Sequence, residues 1–197
     1  MAKLNLGDIV DLREYERERD GYRRSIIALK SIRRISLGNF VTVVFENRET
    51  VRFQIQEMAR AEKMSRDTEI ETELAIYNPL IPDKGELKAT LFLELTSTEM
   101  LEEWLTKLVG IESSLYLELG LGDATKRLAS RPEKEHGSQL TRDDITASVH
   151  YIEWSLNEFE QDWLKSGPAF LGVDHPNYKA REELSKATLE SLVSDWV

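Results

Sequence analysis

The chain is predicted to adopt an α+β fold, a single domain with a mixed or mainly antiparallel sheet and packed helices, on three observations. β-Branched and apolar runs flank a Gly-Asn turn within residues 35–45. Segments with apolar residues at helical spacing are interspersed with strand-like ones without a regular strand-helix alternation. Gly38, Gly110, Gly120 and Gly122 build neither a dinucleotide loop nor a phosphate-cradling loop between a strand and a helix. A chain of 197 residues buries roughly 70% of its unfolded surface, enough for one substantial core, so residues 1–197 are read as one domain.

Taken in order, residues 8–15 read as a short capped helix with acids at its start and Leu12 and Tyr15 packed inward. Residues 23–34, with Ile26, Ile27, Leu29 and Ile32, suit a helix or a helix that breaks into a strand. Residues 35–45 form a hairpin about Gly38-Asn39. From Thr50 the period becomes helical through Val51, Ile55, Met58 and Ala59, and a second helix over 67–77 stops at Asn78-Pro79. A turn-rich connection over 79–85 leads to a strand at 87–95 with Ala89, Leu91, Leu93 and Leu95 on one face.

A helix over 98–109 ends at Gly110. A strand at 115–119 follows, and 124–129 pairs back after a turn at Leu121-Gly122-Asp123. Residues 130–144 hold almost no apolar content and read as a mobile surface loop. A half-buried strand at 147–154, a helix at 156–164, an extended piece at 168–173 and a final helix over 178–196 complete the chain. In that last helix Leu189, Leu192, Val193 and Trp196 point inward; Trp196 could instead close an oligomer interface.

Composition removes several chemistries. The chain has no cysteine, hence no disulfide, thiolate nucleophile, cysteine-ligated zinc or cysteine-held iron–sulfur cluster of its own. The start of the sequence does not read as a signal peptide and no stretch reaches 18 uninterrupted apolar residues, which predicts a cytoplasmic protein without a membrane span. The net charge of -10 disfavours general nucleic-acid binding. Charge is uneven: residues 1–63 carry 13 basic and 10 acidic side chains, residues 64–197 carry 13 and 26. Arg19, Arg23, Arg24 and Arg34 belong to the basic stretch, which reads either as a partner-binding face or as a solvated face with intramolecular pairs.

The densest polar run, residues 46–57, lies where a strand passes into a helix. Glu46 and Arg48 there stand beside the unpaired backbone donors of a helix start, which suits either a small-anion pocket or ordinary capping and charge pairing. Arg48, Arg52, Gln56, Arg60 and Asn78 are the candidate ligand-binding residues, and Glu46, Glu57 and His175 the candidate catalytic ones. Asp174 can orient His175 as a base, or both can simply shape a turn or cap the last helix. The glutamates at 57, 62, 69 and 73 lack the Glu-x-x-His pairs of a carboxylate metal bundle, so no metal and no cofactor are expected. No serine has a nucleophile-elbow context.

Ser36-Leu37-Gly38, the run from Phe45 to Met58 (Phe-Glu-Asn-Arg-Glu-Thr-Val-Arg-Phe-Gln-Ile-Gln-Glu-Met), Tyr77-Asn78-Pro79-Leu80-Ile81-Pro82, Glu86-Leu87-Lys88-Ala89-Thr90-Leu91 and His175-Pro176-Asn177-Tyr178 carry a family resemblance over nearly the whole chain. The pattern resembles a bacterial family of unknown function, one of the numbered domains of unknown function, whose genes often lie beside those for rubrerythrin-like and iron–sulfur oxidoreductase-like proteins. That resemblance implies a redox neighbourhood and supplies no catalytic residue. The leading expectation is therefore a cytoplasmic accessory or protein-interaction domain working beside an iron-dependent oxidoreductase. The alternative is a small-molecule enzyme or an anion-sensing ligand-binding domain built on the Glu/Arg/Gln/Asn/His set.

Overall fold

The computed structural model describes residues 2–122, 124–133 and 144–196. Its helices are α1 (Leu12–Arg33), α2 (Arg48–Ala61), α3 (Asp67–Tyr77), α4 (Thr98–Lys107), α5 (Glu158–Ser166) and α6 (Lys186–Ser194). The strands are β1 (Arg34–Leu37), β2 (Val41–Phe45), β3 (Glu86–Leu93), β4 (Leu115–Leu121), β5 (Ala124–Ala129), β6 (Arg131–Pro132), β7 (Val149–Ser155), β8 (Ala169–His175) and β9 (Tyr178–Glu183). They form two antiparallel sheets, β1-β2-β3-β7-β6 and β5-β4-β8-β9, so the fold is α+β.

The strand period of two sorts residues between layers. Val41, Val43 and Phe45 of β2, Leu87, Ala89 and Leu91 of β3, and Ile152 and Trp154 of β7 face Leu115, Leu117, Leu119, Leu171 and Val173 of the second sheet in the main core. The opposite face of the first sheet carries a smaller core of Leu4, Val51, Ile55, Leu74, Leu80 and Ile81, with Tyr77 and Tyr151 packed against it. The helices α2 and α3 therefore sit on the side of that sheet away from its partner sheet.

The first helix differs from its expected two pieces. Asn5 caps a 3-10 turn at Leu6–Asp8, and Asp11 then caps α1, which runs unbroken for 22 residues. Residues 16–21 (Glu-Arg-Glu-Arg-Asp-Gly) offer no apolar side chain. They are fastened to α2 instead, through Arg19 to Glu57 and Arg60 to Glu16. At its C-terminal end Arg33 is 1% exposed and forms an ion pair with Asp195, itself 2% exposed. The same guanidinium donates to the carbonyls of Phe45 and Glu46 and to Ser191, tying α1, the end of β2 and α6 to one buried centre.

The expected hairpin forms with β1 and β2 in register from Arg34↔Val44 to Leu37↔Val41. Gly38 makes its turn at φ +71, in the left-handed region that glycine enters freely. The Tyr178 hydroxyl closes the turn, accepting from the Asn39 amide at 2.8 Å and donating to the Leu37 carbonyl at 2.7 Å.

That tyrosine belongs to a strand, which corrects the single helix expected over 178–196. Tyr178–Glu183 pairs along β8, and only Lys186–Ser194 is helical, after a Ser185 cap. Asp174 and His175 accordingly shape the β8–β9 turn and cap no helix. The polar stretch from 130 is ordered at its start, where β6 pairs with Glu153 and Ile152 of β7. Residues 134–143, including His136, lie outside the described residues.

Candidate functional site

A cleft of about 240 Å³ opens on the helical side of the first sheet. Its floor is set by register: Thr90 lies beside Tyr151, and Phe92 beside Val149, on adjacent strands. Glu46 follows β2 and prolongs the ladder by donating its amide to the Lys88 carbonyl at 2.8 Å. Val51 and Gln54 of α2, Tyr77 at the end of α3, Leu80 and Lys30 of α1 complete the walls.

Glu46 is 8% exposed. Its carboxylate accepts from the Thr50 hydroxyl on one oxygen and from the Thr90 hydroxyl, at 2.6 Å, on the other. No basic side chain among the described residues pairs with it; Arg33 touches only its carbonyl and places its charge against Asp195. Lys30 is half-buried and, among the described residues, also forms no ion pair.

Two phenols, Tyr77 and Tyr151, line the same cleft, and Tyr151 lies near enough to Glu46 for its charge to act on it. Burial above all pushes Tyr151 up to about 12, and the neighbouring Tyr77 and Glu46 add to the rise. Burial also raises Tyr77, against a hydrogen bond from Gln54. Both hydroxyls therefore stay protonated at neutral pH and serve as hydrogen-bonding groups rather than bases. The cleft thus combines a buried acceptor, two phenols, one ammonium and an apolar wall.

The residues that sequence singled out for ligand binding are engaged elsewhere. Gln56 makes a two-way amide pair with Val10, accepting from its N–H at 3.2 Å and donating to its carbonyl at 2.9 Å. Asn78 does the same with Leu4 at 2.8 and 2.9 Å. Arg48 pairs with Asp8 and donates to the Ala2 carbonyl, while Arg52 donates to the Asp8 carbonyl at 2.7 Å. Four of the five therefore clamp an N-terminal arm, residues 2–11, against α2 and α3. Arg60 pairs with Glu16.

Of the catalytic candidates, Glu46 alone lines the cleft. Glu57 accepts two hydrogen bonds from Arg19 and one from the Tyr15 hydroxyl, and the Arg19 guanidinium holds its carboxyl below the usual range. His175 is fixed in the second sheet, its Nδ1 accepting from the Asn177 amide and its Nε2 donating to the Val109 carbonyl at 3.1 Å. Of the four arginines proposed for a partner, Arg19 pairs with Glu57 and Arg34 with Glu94. Arg23 and Arg24 are exposed on α1.

Lys30, Gln54, Thr90 and Tyr151 escaped the sequence reading as site residues. For Thr90 and Tyr151 the available signal was parity, since residues of a strand that alternate with its core positions face the other side of the sheet; Lys30 and Gln54 lie on helices and had no such signal. Among the described residues no group of three or more acidic or histidine side chains is placed to hold a metal ion. No helix among them is long and apolar enough to cross a membrane.

The fold and cleft define an α+β protein with a helix-walled pocket on one face of a five-stranded sheet. The chain belongs to the family described as Protein of unknown function (DUF3501), which it matches over residues 3–196. It is similar to a crystal structure from Burkholderia pseudomallei K96243, described as a novel protein of unknown function. That likeness covers 100% of both chains at 30% identity with a TM-score of 0.89. No curated protein matches the chain.

Proposed function

We propose that this protein binds a small molecule in the cleft floored by Thr90 and Tyr151. The observation that carries the reading is the buried Glu46 carboxylate, oriented by two threonine hydroxyls and, among the described residues, in no ion pair, at the edge of a partly apolar cavity. A pocket with mostly apolar walls and a few convergent polar groups is the usual form of a ligand site. The test is a melting-curve panel of amino acids, amines, organic acids, nucleotides and sugars on the wild type and on Val149→Trp, which fills the cleft floor. A ligand at a hundredfold excess over its Kd stabilises by about 2.7 kcal/mol, or roughly 5–11 °C for a chain of this length. A shift in the wild type that disappears in Val149→Trp supports the reading. No shift with any probe, or an equal shift in both proteins, overturns it.

A second reading, an accessory domain that docks an oxidoreductase, draws on α1. Among the described residues Arg23 and Arg24 form no ion pair there and are exposed, and Ile27, one turn after Arg23, is 51% exposed. The family resemblance carried by the sequence supports a redox partner, and the absence of long apolar runs from the sequence supports a cytoplasmic setting. Under this reading Arg23→Glu/Arg24→Glu abolishes capture of a stoichiometric oxidoreductase, and capture by the wild type weakens as salt rises. Salt-independent capture that survives the double substitution counts against it.

A further inference from the structure

The cleft holds two charged side chains, Glu46 and Lys30, that form no ion pair among the described residues. Glu46 lies at its floor with only hydroxyl partners. Lys30 lines it from α1 and, among the described residues, bridges to no acid, Glu46 included. A buried charge without a counter-ion is costly, and a carboxylate accepts about four hydrogen bonds, so the threonines leave Glu46 with capacity for a donor. Val51, Leu80 and Phe92 supply hydrocarbon in the same cavity.

These features select among ligand classes by what they repel as well as by what they attract. A phosphate or nucleotide brings a multiple negative charge beside Glu46, with a single lysine to offset it. A polyamine brings extra positive charge beside Lys30. A molecule bearing one charge of each sign neutralises both groups at once. The cavity of about 240 Å³ corresponds to roughly eight water volumes, the scale of a single amino acid.

Resting on the ligand-binding reading above, we infer that the cleft takes a small zwitterion with an apolar body, of the α-amino-acid class, its ammonium group against Glu46 and its carboxylate against Lys30. The phenols of Tyr77 and Tyr151 stand beside the ammonium end, where their oxygens accept hydrogen bonds. The hydrocarbon portion lies on Phe92 and Leu80.

Calorimetric titration with L-phenylalanine and L-leucine tests this directly, with phenethylamine and 3-phenylpropionate as counterparts that each keep one charge. The expected result is binding of an amino acid at least tenfold tighter than either single-charge counterpart. Lys30→Met then brings L-phenylalanine down to the level of phenethylamine, and Glu46→Gln brings it down to the level of 3-phenylpropionate. Lys30 is half-buried on a helix and methionine is a good helix former, so Lys30→Met keeps the test decisive if Glu46→Gln does not fold. Failure of both amino acids to bind, or Lys30→Met binding L-phenylalanine as the wild type does, overturns the inference. If another probe class stabilises the wild type but not Val149→Trp, the zwitterion is refuted and the cleft reading stands. If binding is the same in Val149→Trp, both fall.

Discussion

Replacing Arg33 by methionine removes the cation from the most deeply buried ion pair described in the protein. Asp195, 2% exposed, would keep Asn47 Nδ2 at 3.2 Å as a hydrogen-bond donor. The Phe45 carbonyl and the Ser191 hydroxyl would lose donors at 3.0 and 2.9 Å. Breaking a buried pair from one side typically costs about 3–5 kcal/mol, because an uncompensated charge remains. For a chain of this length each kcal/mol lowers Tm by about 2–4 °C, so Arg33→Met should melt roughly 6–20 °C below the wild type. Arg34→Met is the internal control: its pair with Glu94 has side chains 45% and 46% exposed, and such pairs contribute about 0–1 kcal/mol. Urea denaturation followed by circular dichroism measures both, with a common slope showing that the unfolded states are comparable. The double change Arg33→Met/Asp195→Leu should recover much of the loss, since apolar replacement of a whole buried pair is often neutral or stabilising. An Arg33→Met protein within 1 kcal/mol of Arg34→Met by that assay would refute the reasoning.

Three further outcomes are expected. His150 is buried, and its Nε2 donates to the Ala147 carbonyl at 2.8 Å beside the Thr146 hydroxyl. Burial holds it below its ordinary 6.5, against the opposing pull of Glu112. The unfolded chain then binds the proton more readily than the folded one, so this contribution is intact above 6.5 and is lost as pH falls through the lower folded value. Urea midpoints of the wild type should fall more steeply between pH 7.5 and 5 than those of His150→Gln, and parallel curves would exclude the effect. Gln56→Ala and Asn78→Ala should each cost about 1 kcal/mol and raise amide exchange over residues 2–11, whereas unchanged protection there would show that the arm does not depend on those amides. At Gly38 a Cβ would meet the Tyr178 hydroxyl oxygen at 2.5 Å, while at Gly122, also at positive φ, it would meet nothing within 4 Å. Gly38→Ala should therefore destabilise by more than the about 1–2 kcal/mol of the left-handed conformation alone, and more than Gly122→Ala, in the same urea assay.

Legibility in the sequence followed the range of the forces involved. The hairpin at Gly38-Asn39 and the helix α3, closed by Pro79, are specified by residues adjacent in the chain, and both form as expected. The stretch Tyr178–Glu183 contains good helix formers, yet pairing with β8 and the seat of Tyr178 beneath the hairpin turn make it a strand. Tertiary context overrides a weak local preference there. Helix α1 was legible only in part because its middle is anchored by ion pairs to a helix 38 and 44 residues away rather than by an apolar stripe. Glu46 was visible as a candidate. Its neighbours Lys30, Thr90 and Tyr151 come from three other elements, and no spacing rule links them. The polar residues that follow it looked equally available in the sequence, but folding brings the N-terminal arm to them.

The Arg33–Asp195 pair also has a timing. Its members are 162 residues apart, and translation proceeds at about 5–20 residues per second. A growing chain therefore carries the guanidinium for roughly 8–30 s before its counter-ion is even synthesised. During that interval the buried ion pair at the end of α1 cannot form. Closure of this buried centre is thus set by a residue made 162 positions after Arg33, so a nascent chain stalled before Asp195 should show a protease-sensitive α1–β1 junction that the released protein protects.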